Sequence, residues 1–370
     1  MSFPLSISTP GRICLFGEHQ DYLGLPVIAA AISQRIRINA ESTTKPEVRL
    51  FLPDIDAEER FSLATLPLTY RQDRDYFRSA VNILLREGFR FSTGIQGEIR
   101  GEIPINAGTS SSSALLVTWL AILTQFADNP QTLAPEKLAE LAYAAEVLEF
   151  GEPGGMMDHY ATAVGGVIYL ESVPKIHLES FQPKLGALVL GDSRQPKDTI
   201  GVLKHVKFGM LRAMEKIKQY DPAFLLTTYP LEAADAYRSI LTPDEMALLK
   251  GNLSDRDVLR EALAMFKSGT VDHQRLGALL TIHQTSLRDA KRVSTPKIDH
   301  MIDEALKAGA YGGKINGSGG GGCMFAYAPE KPESVAEAIE RAGGKAYIIR
   351  VDQGVSKNPV SKNLFIPQLK

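Results

Sequence analysis

Apolar and polar residues alternate along Arg35-Ile36-Arg37-Ile38-Asn39-Ala40-Glu41, the pattern of a strand with one wet face. Val48 to Leu52 and Gly94 to Ile103 also read as strands, while Arg74 to Arg86 and Ser112 to Phe126 read as helices. Pro135 to Phe150 predicts a further helix. Leu138, Leu141, Ala145 and Leu148 share one side of it, and Pro135 suits its first turn. Val167 to Leu170 reads as a strand leaving a Gly165-Gly166 turn, and Leu185 to Leu190 as a buried strand. From Lys197 to about Ala308 the pattern is mostly helical. It closes with a strand at Met324 to Tyr327, a helix over Pro332 to Arg341 and a strand over Ala346 to Val351. The texture changes near residues 172 to 184, where Pro174 and Pro183 fall, and this is the candidate domain boundary. Strands and helices mixed in both halves predict an α+β protein with two layers per half.

At 370 residues the chain is long for one core and comfortable for two packed domains. Apolar residues make up 44% and charged residues 23%, which argues against disorder. Lys plus Arg is 41 and Asp plus Glu is 43, a formal net charge of -2. With no strong field of one sign, nucleic acid and anionic membranes are not expected as partners. The two cysteines, Cys14 and Cys323, cannot make a disulfide scaffold or a four-ligand zinc site. The N-terminal stretch lacks a basic residue ahead of an apolar run, so no secretory signal is expected. The most apolar helical stretch, Ala114 to Ala127, falls short of the roughly 18 apolar residues that span a bilayer. A soluble, cytoplasmic protein is the expectation.

Three glycine-punctuated segments carry chemistry. The first runs from Thr9 to Gly24 and sets Arg12, Glu18, His19 and Asp21 within ten positions. Carboxylates and an imidazole there suit a polyhydroxylated ligand, although a solvated loop with an ion pair to Arg12 would have the same composition. The second, Gly101 to Ala114, ends in Gly108-Thr109-Ser110-Ser111-Ser112-Ser113 and runs into an apolar helix. Small residues at a helix start let backbone N–H groups approach an anion, and a hydroxyl there can ligate Mg²⁺. The Gly-Lys-Ser/Thr ending of the common P-loop is missing, and an N-cap with surplus serines is the competing reading. The third, Tyr311 to Phe325, holds four consecutive glycines. Its Gly317, Gly319 and Gly322 satisfy G-x-G-x-x-G, but strand-like Met324 to Tyr327 follows where a dinucleotide site needs a helix. Glu146 and Asp158 flank a Gly/Pro-rich turn, where an acid serves equally as helix cap or as base.

Together these segments resemble the GHMP kinase superfamily, with its three motifs in order at Pro10 to Gly24, Pro104 to Ala114 and Lys314 to Cys323. Within it the chain is similar to galactokinases. Gly17-Glu18-His19-Gln20-Asp21-Tyr22 resembles their sugar-binding signature. Ala145-Glu146, Phe150-Gly151 and Gly155-Met156-Met157-Asp158 resemble a second stretch. Ser286-Leu287-Arg288-Asp289 with Val293-Ser294-Thr295-Pro296 and Asp299 resembles a third. Thr109 and His159 depart from the galactokinase pattern. The Gly-Ser-Gly-Gly-Gly-Gly-Cys run and the stretch Asp192 to Thr199 read more like mevalonate kinase.

The resemblance implies two α+β domains: residues 1–180, with a ribosomal-protein-S5-like unit, and residues 181–370, a ferredoxin-like GHMP domain, with the active site between them. It implies an ATP-dependent kinase acting on a monosaccharide, at the anomeric hydroxyl. Asp158 is then the catalytic carboxylate and Arg12 its cationic partner. Glu18, His19, Asp21 and Gly155 would bind the sugar. Gly108, Ser110, Ser111, Ser112, Ser113, Gly319 and Gly320 would bind ATP, and Ser112 with Glu146 would hold Mg²⁺. Glu149, three positions along the same helix, rivals Glu146. A mevalonate-kinase-like enzyme is the runner-up, with Asp21-Tyr22 against it. A non-catalytic sugar sensor is disfavoured by the presence of Ser112, Glu146 and Asp158 together. Small-molecule partners, and a monomer or homodimer, complete the expectation.

Overall fold

The computed structural model describes residues 5–357 apart from 106, 153 and 198, together with the backbone but not the side chains of 199, 200 and 203. The motif positions Asn106, Pro153 and Asp198 lie outside the described residues. Seven strands build a first sheet: β1 (Leu5–Phe16), β2 (Val27–Thr43), β3 (Glu47–Leu52), β4 (Ala57–Ser62), β5 (Gly94–Gly101), β6 (Val167–Glu171) and β7 (His177–Phe181). A second sheet holds β8 (Leu188–Asp192), β9 (Gly312–Ile315), β10 (Cys323–Tyr327) and β11 (Lys345–Ile349). The short β12 (Ser356–Lys357) then returns to the first sheet, beside β1.

The order in the first sheet is β12-β1-β2-β5-β3-β4, with β6 on the start of β2 and β7 on β6. Among the described residues only the β3–β5 pair is parallel. β2 is long enough to serve two neighbours: residues 27–30 pair with β6 and residues 36–43 with β5. The second sheet, β11-β8-β10-β9, is antiparallel throughout.

Helices α1 (Tyr76–Arg86), α2 (Ser111–Phe126), α3 (Pro135–Tyr143) and α4 (Met157–Val164) pack on the first sheet around Trp119, Leu120 and Leu138. Helices α5 (Thr199–Tyr220), α6 (Pro243–Ser268), α7 (His273–Thr285), α8 (Pro296–Lys307) and α9 (Pro332–Arg341) belong to the second half. Their starts are written locally: Thr242 and Glu245 form a capping box for α6, and Asp272 and Thr295 cap α7 and α8. A third core joins the halves, with Ile13, Phe16 and Ile28 from one and Leu276, Phe325 and Tyr327 from the other.

The predicted helix over Pro135 to Phe150 is not uniform. α3 ends at Tyr143, and Ala144–Leu148 widen into a π turn that carries Glu146. A π turn inserts one residue into the ladder and re-aims the side chains after it. β4, β7 and β9 had no clear sequence pattern. β7 is half exposed and lies where the texture changes, and β9 is only four residues, two of them glycine.

Candidate active site

β1 is the first wall of the site. Its register against β2 shifts between Pro10 and Arg12, because proline lacks a ladder donor and Gly11 has no side chain to obstruct the bend. A β-carbon on Gly11 would lie 2.9 Å from the Thr109 carbonyl oxygen, and Arg12 N–H donates to that same oxygen at 3.1 Å. The bulge thus ties β1 to the serine loop and sends the Arg12 side chain into the cleft. Its Nε and Nη2 donate to Asp158 Oδ1 at 2.9 and 2.7 Å, and its Nη1 donates to the Gly108 carbonyl.

Asp158 lies in the first turn of α4, where the helix dipole favours an anion. A third of its side chain stays open to the cleft. Burial pushes its pKa up, but Arg12, aided by His159, overrides this and holds it below the ordinary aspartate value. It is ionised at neutral pH.

In the serine loop, Gly108 has φ 86° and Ser110 has φ 61°. Ser110 stands at the N-cap of α2 yet makes no side-chain cap bond, so the first-turn N–H groups are left for another acceptor. The N-cap reading of these serines is therefore not what the structure shows. Ser113 Oγ donates to Glu146 Oε2 at 2.8 Å, and His159 Nε2 lies 2.8 Å from the same oxygen. Burial works to raise the Glu146 pKa, but the bonds from His159, Ser112 and Ser113 bring it below the ordinary value. Glu149 points elsewhere, to Arg86 at 2.6 and 2.7 Å and to Tyr70, and does not line the cleft.

The other end of the cleft is built by the loop after β1. His19 is buried, and its Nε2–H donates to the Ser318 carbonyl at 2.9 Å, so Nδ1 accepts from the Tyr22 hydroxyl at 2.9 Å. Burial, with Lys291, lowers its pKa to about 3, so the ring is neutral. Asp21 Oδ1 accepts Tyr22 N–H at 2.9 Å, and Oδ2 lies against Gly155, where any β-carbon would overlap it. Burial raises the Asp21 pKa, and the Asp158 charge adds to this against the Tyr22 N–H. Glu18 also borders the cleft, but its side chain is almost wholly buried and paired with Lys314.

The cleft holds about 600 Å³ and brings together Arg12, Glu18, His19, Asp21, Gly108, Ser110 to Ser113, Glu146, Gly155 and Asp158. Gly319 and Gly320 are not among its walls. Gly319 packs on Val293, and Gly320 N–H donates to the Val293 carbonyl at 2.8 Å, so these two shape the loop whose Gly317 and Ser318 do reach the cleft. Lys197 lines the cleft and had no place among the predicted site residues. A β-carbon on Gly108 would lie 3.2 Å from its Nζ. Among the described residues no hydrogen bond or salt bridge holds that ammonium; burial, with Arg12, lowers its pKa, and the Asp158 charge works against this. The one signal for it in the sequence was its place in the mevalonate-kinase-like stretch Asp192 to Thr199.

Three family models match the chain: GHMP kinases N terminal domain at residues 75–166, GHMP kinases C terminal at 262–348, and the galactokinase galactose-binding signature at 2–41. The chain is a GHMP kinase. Enzymes of this family are ATP-dependent small-molecule kinases, and this GHMP kinase is one of them. It is 28% identical to a mevalonate kinase of Pyrococcus furiosus, over 94% of this chain and 96% of that enzyme. It is 26% identical to a galactokinase of the same organism, over 95% and 99%. Among solved structures, Lactococcus lactis galactokinase complexed with galactose superposes with a TM-score of 0.81 at 21% identity, covering 96% of this chain and 95% of that one. Methanococcus jannaschii mevalonate kinase gives 0.72 at 20%, covering 94% and 98%. The α+β architecture with a GHMP N-terminal and C-terminal part is thus established for this kinase. Among the described residues no helix is long and apolar enough to cross a membrane.

Proposed function

We propose that this kinase transfers the terminal phosphate of ATP to a monosaccharide, at its anomeric hydroxyl. The observation that carries the reading is Asp21, a half-buried carboxylate in the cleft wall, pressed on Gly155, with neutral His19 lining the same cleft. A carboxylate with a neutral imidazole beside it suits vicinal hydroxyls and repels a carboxylate-bearing substrate. The galactose-binding signature over residues 2–41 supports the same reading.

Asp158 accepts the hydrogen of the attacking hydroxyl and orients its oxygen toward phosphorus. Arg12 keeps Asp158 ionised. The uncapped N–H groups of α2, with the hydroxyls of Ser110 to Ser113, cradle the phosphates. Lys197, which lines the cleft beside Gly108, faces that cradle and offsets the charge of the transferring group. Glu146 is ionised, and with the hydroxyls of Ser112 and Ser113 it offers the oxygen donors that Mg²⁺ takes, so these residues fit the ion. Bound there, magnesium supplies charge neutralisation on the phosphates.

A second reading, an alcohol of the mevalonate type, draws support from the curated mevalonate kinases and from Lys207, whose ammonium lies 5.0 Å over the Tyr22 ring. A coupled ADP-release assay over free sugars and mevalonate separates the two. Turnover with a sugar and none with mevalonate is the expected result. Turnover with mevalonate alone removes the sugar reading.

A further inference from the structure

The loop bearing Glu18, His19 and Asp21 holds a backbone that its own sequence does not favour. His19 has φ 63°, a left-handed conformation uncommon for a residue with a β-carbon. Such strain persists only where the surroundings over-determine it. Here the determining contacts come from the other half of the chain. Lys291, just beyond the π turn Ser286–Ala290, donates from Nζ to the Glu18 carbonyl at 2.9 Å and pairs with Asp255 Oδ2 at 2.8 Å. Lys314, on β9, pairs with the Glu18 carboxylate and donates to the Cys14 carbonyl at 3.0 Å. Gln20 Nε2 donates to the Asn252 carbonyl at 2.9 Å, and Ser318 receives the His19 ring.

Lys291, Lys314 and Asp255 have side chains that are 0% exposed, and that of Glu18 is 1% exposed. Four charges so deep are costly to desolvate, and apolar residues of similar volume would commonly serve stability as well or better. The neighbouring His283 adds no charge: burial, with Lys314 and Lys291, drives its pKa far down. The two ammonium groups do something an apolar side chain cannot. They fix one carbonyl and one carboxylate on either side of the Glu18 α-carbon, directly before the strained His19.

We infer that Lys291 and Lys314 are positioning residues for the acceptor substrate, reaching from the C-terminal half to impose the cleft-facing conformation of His19 and Asp21. Both side chains are fully buried, and neither lines the cleft. The inference rests on the reading that this loop binds the acceptor, but not on which acceptor it is.

The test compares wild type with Lys291→Met, Lys314→Met and the double variant Asp255→Asn/Lys291→Met, which removes the ion pair without leaving a lone buried carboxylate. Steady-state kinetics and thermal melting are measured on each, using whichever acceptor the ADP-release panel identifies. The expected result is a folded double variant whose KM for the acceptor rises by at least roughly tenfold, while KM for ATP stays within about twofold. A folded double variant with wild-type acceptor KM, or equal losses for acceptor and ATP, overturns the proposal. Failure of all three variants to fold also overturns it, because the lysines are then structural. If wild type uses mevalonate and no sugar, the sugar reading falls, and the same comparison made with mevalonate still decides the role of the lysines.

Discussion

Asp158→Asn isolates the charge of the central carboxylate. Both guanidinium bonds from Arg12 fall on one oxygen, Oδ1, at 2.9 and 2.7 Å. The amide oxygen of asparagine can take both of them, so the variant keeps the geometry of β1 and α4. It loses the ionic character of those bonds. Bonds to charged groups contribute about 1.5–3 kcal/mol against about 0.5–1.5 for neutral ones. With a third of the side chain open to the cleft, the stability loss should stay near 1–2 kcal/mol. Catalysis should suffer more. Removing a group that accepts a proton typically loses about 10²- to 10⁴-fold, or about 2.7–5.4 kcal/mol of barrier. The measurements are kcat by coupled ADP release, acceptor and nucleotide affinity by calorimetry, and thermal melting. Binding within a few-fold of wild type with kcat down at least roughly 100-fold is the expected pattern. A kcat within tenfold of wild type would leave Asp158 as a helix-terminal anion for Arg12, and the mechanism above would fall.

Lys197→Met should lower kcat by roughly 10- to 100-fold with little change in acceptor affinity, since it removes a cation facing the phosphate cradle. Calorimetry with the acceptor alone, set beside kcat, checks this, and a loss of acceptor affinity would place Lys197 at the wrong end of the cleft. Glu146→Ala should shift the magnesium titration of turnover, whereas Glu149→Ala should not, because Glu149 is engaged by Arg86 and Tyr70. The reverse outcome would exchange their roles. Because the Asp21 pKa is raised, acceptor affinity should decay as pH falls through a value above the ordinary aspartate range. Calorimetry across acidic pH checks this, and in Asp21→Asn the decay should vanish.

What was legible in the sequence was chemistry gathered in short runs. Arg12 to Asp21, Gly108 to Ser113 and Glu146 to Asp158 each sit within about a dozen positions, and the fold carries all three to one cleft. Helices with a proline in the first turn, such as Pro332 to Arg341, were readable for the same reason. Contacts that join distant segments were not. Lys197 is a single lysine before a helix, and nothing local marks it as the residue beside Gly108. Lys291 looks like an ordinary surface lysine, and Lys314 like the start of a glycine motif, until α7 and β9 are folded against the loop after β1. Gly319 and Gly320 illustrate the converse: a glycine run reads as a ligand cradle, yet these two are needed where a backbone must pass close to Val293. The return of β12 to the first sheet was hidden as well, since two residues carry no period.

The two cleft aspartates are shifted in opposite directions, and this bears on how the hydroxyl is activated. Asp158 is held low by Arg12, and Asp21 is pushed up by burial and by the Asp158 charge itself. A carboxylate with a lowered pKa is a weak base, while a sugar hydroxyl ionises far above neutral pH. Full deprotonation before phosphoryl transfer would therefore be steeply uphill with Asp158 as acceptor. A loose transition state removes the difficulty, because bonding to the incoming oxygen is slight until the leaving bond is nearly broken. The hydroxyl becomes acidic only as it bonds to phosphorus, and an oriented acceptor is enough until then. On this account a low pKa is an advantage, since it keeps Asp158 ionised and hydrogen-bonded at every working pH. The raised Asp21 fits the complementary task of holding hydroxyl groups that never ionise. Environments that drive two like groups apart separate orientation of the nucleophile from recognition of the rest of the substrate.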